Sequence, residues 1–368
     1  MKILHATHHF WPCIGGIERA IEDFCTELIK AGCDCRVLCL NKCARSQKKL
    51  PKKETHKGIE IVRVPFIDLK YYKIASGILK HARDADIIHV HGIGFFSDFF
   101  LLTKSLHKRP VVISSYGAIF HTGTNLLKNF YFFVWCKFLL RFADKIVVIS
   151  EHDKAIFSRI VPKEKLTLIP VPVCLDRLHS SKKKKNTFVF VGRLSKNKRL
   201  DLLVEAFASA SQNKEAMLYI VGSDFENLRK ELERKVKNLN AEDRIKFLGK
   251  LPEQELVELL ASTDFFISAS DYESFGISAI EGMASGCIPV LSSIPSFRAF
   301  VEKGKNGFIV DFHNTKRASK KLAQIMELSR AEKEKMRKNA IAYSKRFEPK
   351  EQTKKLLALY SQLHNKRR

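Results

Sequence analysis

The chain has 368 residues, 45% hydrophobic and 28% charged, a length and balance that admit two separately cored domains and exclude a disordered chain. Its 65 basic residues outnumber 39 acidic ones for a net charge of +26, which calls for an acidic partner: nucleic acid, an anionic membrane surface or a diphosphate-bearing substrate. No run reaches the roughly 18 apolar residues of a membrane-spanning helix. No secretory signal opens the chain, and nine cysteines are an odd count in a protein too large to need stapling, so a reduced, cytoplasmic setting is expected.

The first half repeats one unit of short apolar strand, loop and helix. Ile3 to Ala6 reads as a strand, the loop from His8 to Gly16 follows, and Ile17 to Lys30 reads as a helix ending before Gly32. Such a unit implies a parallel sheet. Gly15 and Gly16 at the strand-to-helix turn let backbone approach a phosphate closely, and the helix N-terminus adds favourable partial charge. Arg36 to Leu40 and Ile59 to Val64 are further strands, with Lys48 to Lys57 between them as a solvated loop. Cys33, Cys35 and Cys39 alternate with Val37 on one strand face and no C-x-x-C pair accompanies them, so they read as small buried side chains rather than zinc ligands. Asp84-Ala85-Asp86 has a D-x-D spacing that can hold a metal, yet it precedes the strand Ile87 to Gly92 at its amino end and reads as structural.

Pro110 to Ser114 is the next strand and delivers Ser115-Tyr116-Gly117-Ala118-Ile119-Phe120-His121-Thr122-Gly123 to the ligand edge. The segment Phe130 to Ala143, FYFFVWCKFLLRFA, is helical with two cationic points, and suits either the core or a membrane interface. Lys145 to Ser150 and Leu166 to Val171 close the first half. Ser180 to Asn186, SSKKKKN, has no apolar residue and reads as the end of a linker.

In the second half Thr187 to Val191 is a strand leading into Gly192-Arg193-Leu194-Ser195-Lys196-Asn197-Lys198, where a glycine and two cations five residues apart can hold a diphosphate; a merely basic loop is the alternative. Leu200 to Ala210 is a helix, Met217 to Val221 a strand closed by Gly222, Ile245 to Leu248 a strand and Glu253 to Ala261 a helix. No G-x-G-x-x-G follows a strand, which weighs against a dinucleotide cofactor. Phe265 to Ile267 then enters a polar loop, and Ile277, Ile280 and Met283 recur at helical spacing, so Glu273 in the loop and Glu281 in the helix can face one crevice with the amides of Phe275, Gly276 and Ile277. The tail from Ala331 is charged and helical.

Glu273, Phe275, Gly276 and Glu281 in E-x-F-G-x-x-x-x-E, followed by Gly286-Cys287-Ile288-Pro289-Val290, resemble the signature of family 4 retaining glycosyltransferases. The resemblance extends to G-G-I-E-R from Gly15, D-I-I-H-V-H-G from Asp86, and G-R-L-x-x-x-K from Gly192. It implies the GT-B fold, an α/β architecture of two Rossmann-like domains facing across a cleft. Residues 1–172 would form the acceptor-binding domain, 173–186 a linker and 187–345 the nucleotide-sugar domain, with 346–368 a helix crossing back. By the same resemblance Glu273 orients the donor sugar, Arg193 and Lys198 neutralise the leaving diphosphate, and Glu281 binds ribose. Gly192, Gly222, Phe275, Gly276 and Ile277 then line the donor site, and Gly15, Gly16, Tyr116 and His121 the acceptor side. The Tyr116 to Thr122 segment is similar to H-G-G-x-F-H-T of mannosyltransferases acting on polyprenyl-diphosphate-linked sugars, with Tyr116 where that family has a histidine, and leans to GDP-mannose as donor.

The sequence therefore reads as a retaining, metal-independent hexosyltransferase with a glycan or lipid-linked acceptor, peripheral to an anionic membrane. No stacking motif or basic recognition helix supports a nucleic-acid partner. A catalytically silent nucleotide-sugar binder and a basic nucleic-acid-binding protein are the alternative readings.

Overall fold

The computed structural model describes residues 1–13, 15–43, 48–69, 72–117, 130–302 and 304–366. The chain divides into two compact units, Met1–Val173 with Phe347–Arg368, and Cys174–Arg346.

The strands of the first unit are β1 (Lys2–Ala6), β2 (Asp34–Leu40), β3 (Lys53–His56), β4 (Ile59–Val64), β5 (Phe66–Asp68), β6 (Lys73–Ala75), β7 (Ile87–His91), β8 (Val111–Ser114), β9 (Lys145–Val148) and β10 (Leu166–Leu168). Eight of them form one sheet in the order β10-β9-β8-β7-β1-β2-β4-β3, while β5 and β6 pair as a separate ribbon. Every neighbour in the large sheet is parallel except β3, which runs antiparallel to β4. Helices on both faces bury the central strands, as in β7, where all five residues, His89 and His91 included, are buried. Order reverses between β1 and β7, so the carboxyl ends of those two strands form this unit's ligand edge.

On one face, Ile21, Phe24 and Leu28 of the helix Gly16–Lys30 pack with Cys35, Val37 and Cys39 and with Leu356, Leu359 and Tyr360 of the final helix Pro349–Asn365. The strand cysteines are thus core residues, as their alternation implies. Asp84 is paired with Arg36 and Asp86 accepts from the Lys2 amide, so the D-x-D stretch is structural.

Three expectations need correction. The Lys-rich stretch 48–57 is not all loop: its second half is the edge strand β3, charged as solvent-facing edges tend to be, with Glu54 paired to Arg63. The cysteines are not all thiols, because the loops after the adjacent strands β1 and β2 bring Cys13 and Cys43 into a disulfide. Nor is the 180–186 stretch wholly a solvated linker. Lys183 reaches the carbonyls of Leu260 and Ser285, burial lowers its pKa to about 8, and a strand starts at Lys184.

The second unit carries β11 (Lys184–Val191), β12 (Met217–Val221), β13 (Ile245–Gly249), β14 (Thr263–Ser268), β15 (Ile288–Ser292) and β16 (Phe308–Val310). They form an all-parallel sheet ordered β13-β12-β11-β14-β15-β16. Numbered within the unit this is 3-2-1-4-5-6, the doubly wound order with its reversal between β11 and β14. The helix Arg229–Asn238 has no counterpart in the sequence reading, since Leu232 and Val236 are its only buried residues. Beneath the sheet Asp264 is buried between Lys333 and Arg337, at 3.2 Å from each.

A buried hydrogen bond fastens the final helix to the first sheet: Tyr360 Oη lies 2.5 Å from His89 Nδ1. Tyr360→Phe keeps the packing but strands a buried imidazole nitrogen, a loss of about 1–3 kcal/mol. The expected result is a lower urea midpoint in the transition reported by Trp11 and Trp135, both of which lie in this unit.

Candidate functional site

In the second unit, the loops following β11 and β14 meet at the reversal and are laced together. The Asp271 amide donates to the Asn197 carbonyl at 2.8 Å, Arg199 Nη1 is 3.1 Å from Asp271 Oδ2, and Lys198 Nζ lies 2.5 Å from Glu273 Oε1. Ser270 Oγ also donates to Glu273 at 3.2 Å. Two of the residues singled out for the reacting centre, 75 apart in sequence, thus form one largely shielded ion pair. Arg193 differs. Its guanidinium is exposed, stacks 4.4 Å from the Phe225 ring centre, and has no carboxylate partner among the described residues.

Two glycines shape the edge beside it. Gly222 has φ +147° and a side chain there would meet the Gly192 carbonyl oxygen at 1.8 Å, so this strand end must stay bare, while a side chain at Gly192 would meet the Phe190 ring at 2.9 Å. Gly222 borders an open depression lined by Leu194, Ser223, Asp224, Phe247 and Lys250. On the other side Gly276, at φ +103° and pressed against Phe297, turns the chain into the helix Ile277–Ala284, whose first amides have no partner within the helix. Phe275 is buried beneath this turn near Phe300. Glu281, one turn into the helix, is buried and held 2.6 Å from Arg177 Nη2. Arg177, Asn197 and Asp271 belong to this constellation but were not legible as site residues, because nothing in their local pattern announces a partner 72 to 104 residues away.

In the first unit, the edge between β1 and β7 carries His8, which packs against Gly94 and Phe96. Burial, with His9 and Lys73 nearby, lowers the His8 pKa from 6.5 to about 4, so its imidazole is neutral at pH 7 and able to hydrogen-bond a sugar hydroxyl. Gly15 and Gly16 begin the following helix. The Glu18 carboxylate folds back over Gly15, close enough that a side chain there would meet its oxygen at 2.2 Å, and burial raises the Glu18 pKa. A carboxylate so placed opposes a phosphate at this helix end and suits a hydroxyl donor instead.

Tyr116 follows β8 in the left-handed region, φ +46°, with its hydroxyl 3.0 Å from His91 Nδ1 and its pKa raised by burial. His91 Nε2 lies 2.9 Å from His5 Nδ1, and His89 joins Ser114 and Tyr360. Two sets of side chains here have ligand atoms close enough to hold a metal, His5–His89–His91 and His5–Cys25–Cys35. The nitrogens of His89 and His91 are engaged as above, while His5 Nε2 has no hydrogen-bond partner among the described residues. His121, with the rest of 118–129, lies outside the described residues.

Solved structures share this architecture over nearly the whole chain. Sucrose-phosphate synthase from Thermosynechococcus elongatus superposes with a TM-score of 0.80 at 20% identity, covering 98% of each chain. Anabaena HepE in complex with UDP and glucose gives 0.78 at 18% identity, covering 98% of this chain and 100% of that one. The fold is GT-B, and the class it and the sequence matches define is glycosyltransferase. Residues 14–177 match the model described as Glycosyltransferase Family 4 and residues 176–347 that described as Glycosyl transferases group 1. The chain belongs to glycosyltransferase family 4 and is a hexosyltransferase using a nucleotide-sugar donor. Among its relatives is the GDP-mannose:cellobiosyl-diphosphopolyprenol alpha-mannosyltransferase of Xanthomonas campestris, 27% identical over 354 residues, 95% of this chain and 93% of that one. Another of the same description, from Komagataeibacter xylinus, is 28% identical over 318 residues, 85% and 81% of the two.

The histidines set an acid limit. His8, and more strongly His89 and His91, have pKa values lowered by burial. Between about pH 4 and the ordinary 6.5 the unfolded chain binds protons that the folded chain refuses, so stability must fall as pH falls through that window. His8 alone contributes roughly 3 kcal/mol across it. Thermal unfolding from pH 7 to 4.5 should show a steady drop in Tm, and His8→Gln, which keeps a neutral polar side chain, should flatten part of it.

Proposed function

We propose that this protein is a retaining transferase that moves mannose from GDP-mannose to a polyprenyl-diphosphate-linked glycan at the cytoplasmic membrane face. The observation that carries the reading is the β11/β14 edge, where an unpaired guanidinium, a lysine–glutamate pair and the amino end of a helix converge. Full-length similarity to enzymes described as acting on GDP-mannose and a diphosphopolyprenol supports the choice of donor and acceptor, and the net charge of +26 supports a negatively charged surface as the place of work.

Departure of GDP builds negative charge on the diphosphate. Arg193 provides a planar fork for its oxygens and Lys198 a point charge, while the amides at Gly276 and Ile277 add fixed dipoles. Lys198 begins on Glu273, so a bound diphosphate draws the ammonium into sharing and leaves Glu273 facing the sugar, where positive charge develops. Glu281, oriented by Arg177, offers an acceptor to ribose hydroxyls. On the other unit Tyr116, His121 and the turn at Gly15 and Gly16 would contact the acceptor, with His8 as a neutral hydrogen-bonding partner. Cations fixed in the chain do the neutralising, so the reading needs no metal ion.

Thermal stabilisation by UDP-, GDP-, ADP- and dTDP-sugars tests the donor assignment. GDP-mannose at 100 times its dissociation constant should stabilise by about 2.7 kcal/mol, and Arg193→Ala and Glu281→Ala should each remove most of that shift. A shift with no nucleotide sugar at saturation overturns the reading. Given a turnover assay, Lys198→Ala should lower kcat about 10²- to 10³-fold, in the range of losing one preorganised donor, and saturating EDTA should leave wild-type kcat unchanged.

A further inference from the structure

The segment Phe130–Phe142 meets the core reading of the sequence on one face only. Phe132, Cys136, Leu139 and Leu140 lie in the core of the first unit with Phe96, Phe100 and Phe157. Its other face leaves Phe130, Phe133, Val134, Trp135, Phe138 and Phe142 exposed, from 39% for Trp135 to 61% for Phe130. Single exposed hydrophobic residues are ordinary, but six within thirteen positions on one helix are not.

This orientation is fixed from below. Asp98, buried on the helix Phe95–Leu102, accepts from Tyr72 Oη at 2.8 Å, Tyr131 Oη at 3.0 Å and Trp135 Nε1 at 3.1 Å. The helix opens with wider π-type turns over Tyr131–Cys136 before continuing as α-helix through Lys137–Leu140. Clamped at Tyr131 and Trp135, it cannot roll to bury Phe133, Val134 and Phe138 without taking two hydrogen-bond donors from the buried Asp98, which is costly. Cations border the same face. Lys137 and Arg141 are exposed, the Arg141 guanidinium lies 4.2 Å from the Phe138 ring centre, and Lys165 Nζ reaches the Ala143 carbonyl at 2.9 Å. The stretch 130–143 contains no acidic residue.

We propose that this face is a docking surface for an anionic lipid bilayer, lying in the plane of the interface with its aromatic rings among the acyl chains and Lys137 and Arg141 at the phosphates. Aromatic rings with a tethered polar end, as in Trp135, are suited to that boundary, and interspersed cations favour anionic headgroups over a second protein face. The inference rests on the reading that the acceptor is membrane-borne, and supplies the contact by which the first unit would reach it.

Trp135 is a built-in reporter. In Trp11→Phe it is the sole tryptophan, and its emission should shift to the blue on adding vesicles of phosphatidylglycerol and phosphatidylcholine but not of phosphatidylcholine alone. Lys137→Gln and Arg141→Gln should each weaken vesicle binding about fivefold, and Phe133→Gln with Phe138→Gln at least about tenfold, with Tm unchanged because these positions are exposed. Wild-type protein that ignores anionic vesicles overturns the proposal, as does binding that survives both kinds of variant. Self-association in sedimentation, abolished by the Phe133/Phe138 variant with no vesicle binding, overturns it in favour of a second copy as occupant. Donor stabilisation without vesicle binding would sink this proposal alone; vesicle binding through this face without any nucleotide-sugar response would sink the functional reading and leave the docking surface standing.

Discussion

The parallel pairing of β11 with β14 is the constraint on which the second unit's chemistry depends. It places next to each other two strands whose ends are about eighty residues apart in the chain, at the point where strand order reverses. Their loops then have to coexist at one edge, and they do so through Asn197–Asp271 and Lys198–Glu273. The close approach of Gly222 to the Gly192 carbonyl adds the third wall. None of these contacts is strong alone, but each fixes a polar group that would otherwise move, and preorganised polar groups are what a departing anion requires.

The first unit solves a different problem. Its ligand edge sits above a string of polar side chains, Tyr116–His91–His5 and Ser114–His89–Tyr360, buried except at the half-buried Tyr116. A polar string in a core is costly wherever a member goes unsatisfied; His89 takes its partner from the end of the chain, while His5 Nε2 has none among the described residues. Tyr360 therefore makes the strand histidines and the final helix mutually dependent. Burial holds the pKa values of His89 and His91 down and so keeps added positive charge out of this core, while the buried cations Lys333 and Arg337 of the second unit face Asp264.

Much of this was readable in the sequence, for identifiable reasons. Buried parallel strands write themselves as short apolar runs, so β1, β7, β12 and β14 were found within a residue or two. The glycines at 192, 222 and 276 and the carboxylates at 273 and 281 stood at or beyond the ends of apolar strands, and the resemblance to the family 4 signature, rather than spacing alone, singled them out. What stayed hidden depends on the third dimension: the pairing of Lys198 with Glu273, the grip of Arg177 on Glu281, and the Glu18 carboxylate over Gly15. The edge strand β3 was missed because edge strands carry charges that look like loop. The disulfide was missed because adjacency of the two loops follows from strand order, not from cysteine spacing.

The ion pair at Lys198 bears on how a cationic site avoids defeating itself. Two like charges aimed at one point repel when it is empty, and an exposed pair would be screened and worth little. Glu273 removes that problem by holding Lys198 in a shielded position, leaving Arg193 stacked on Phe225 as the open charge. On the proposed reading, a diphosphate arriving first at Arg193 competes with Glu273 for Lys198, and the competition grows as negative charge builds on the leaving group. The lysine would then be engaged more strongly in the transition state than in the ground state, and only such differential engagement accelerates the chemical step. The same exchange frees Glu273 just as the sugar becomes cationic. On that reading one short contact between two loops would couple stabilisation of the anion to stabilisation of the cation, with side chains that the reversal in strand order had already brought together.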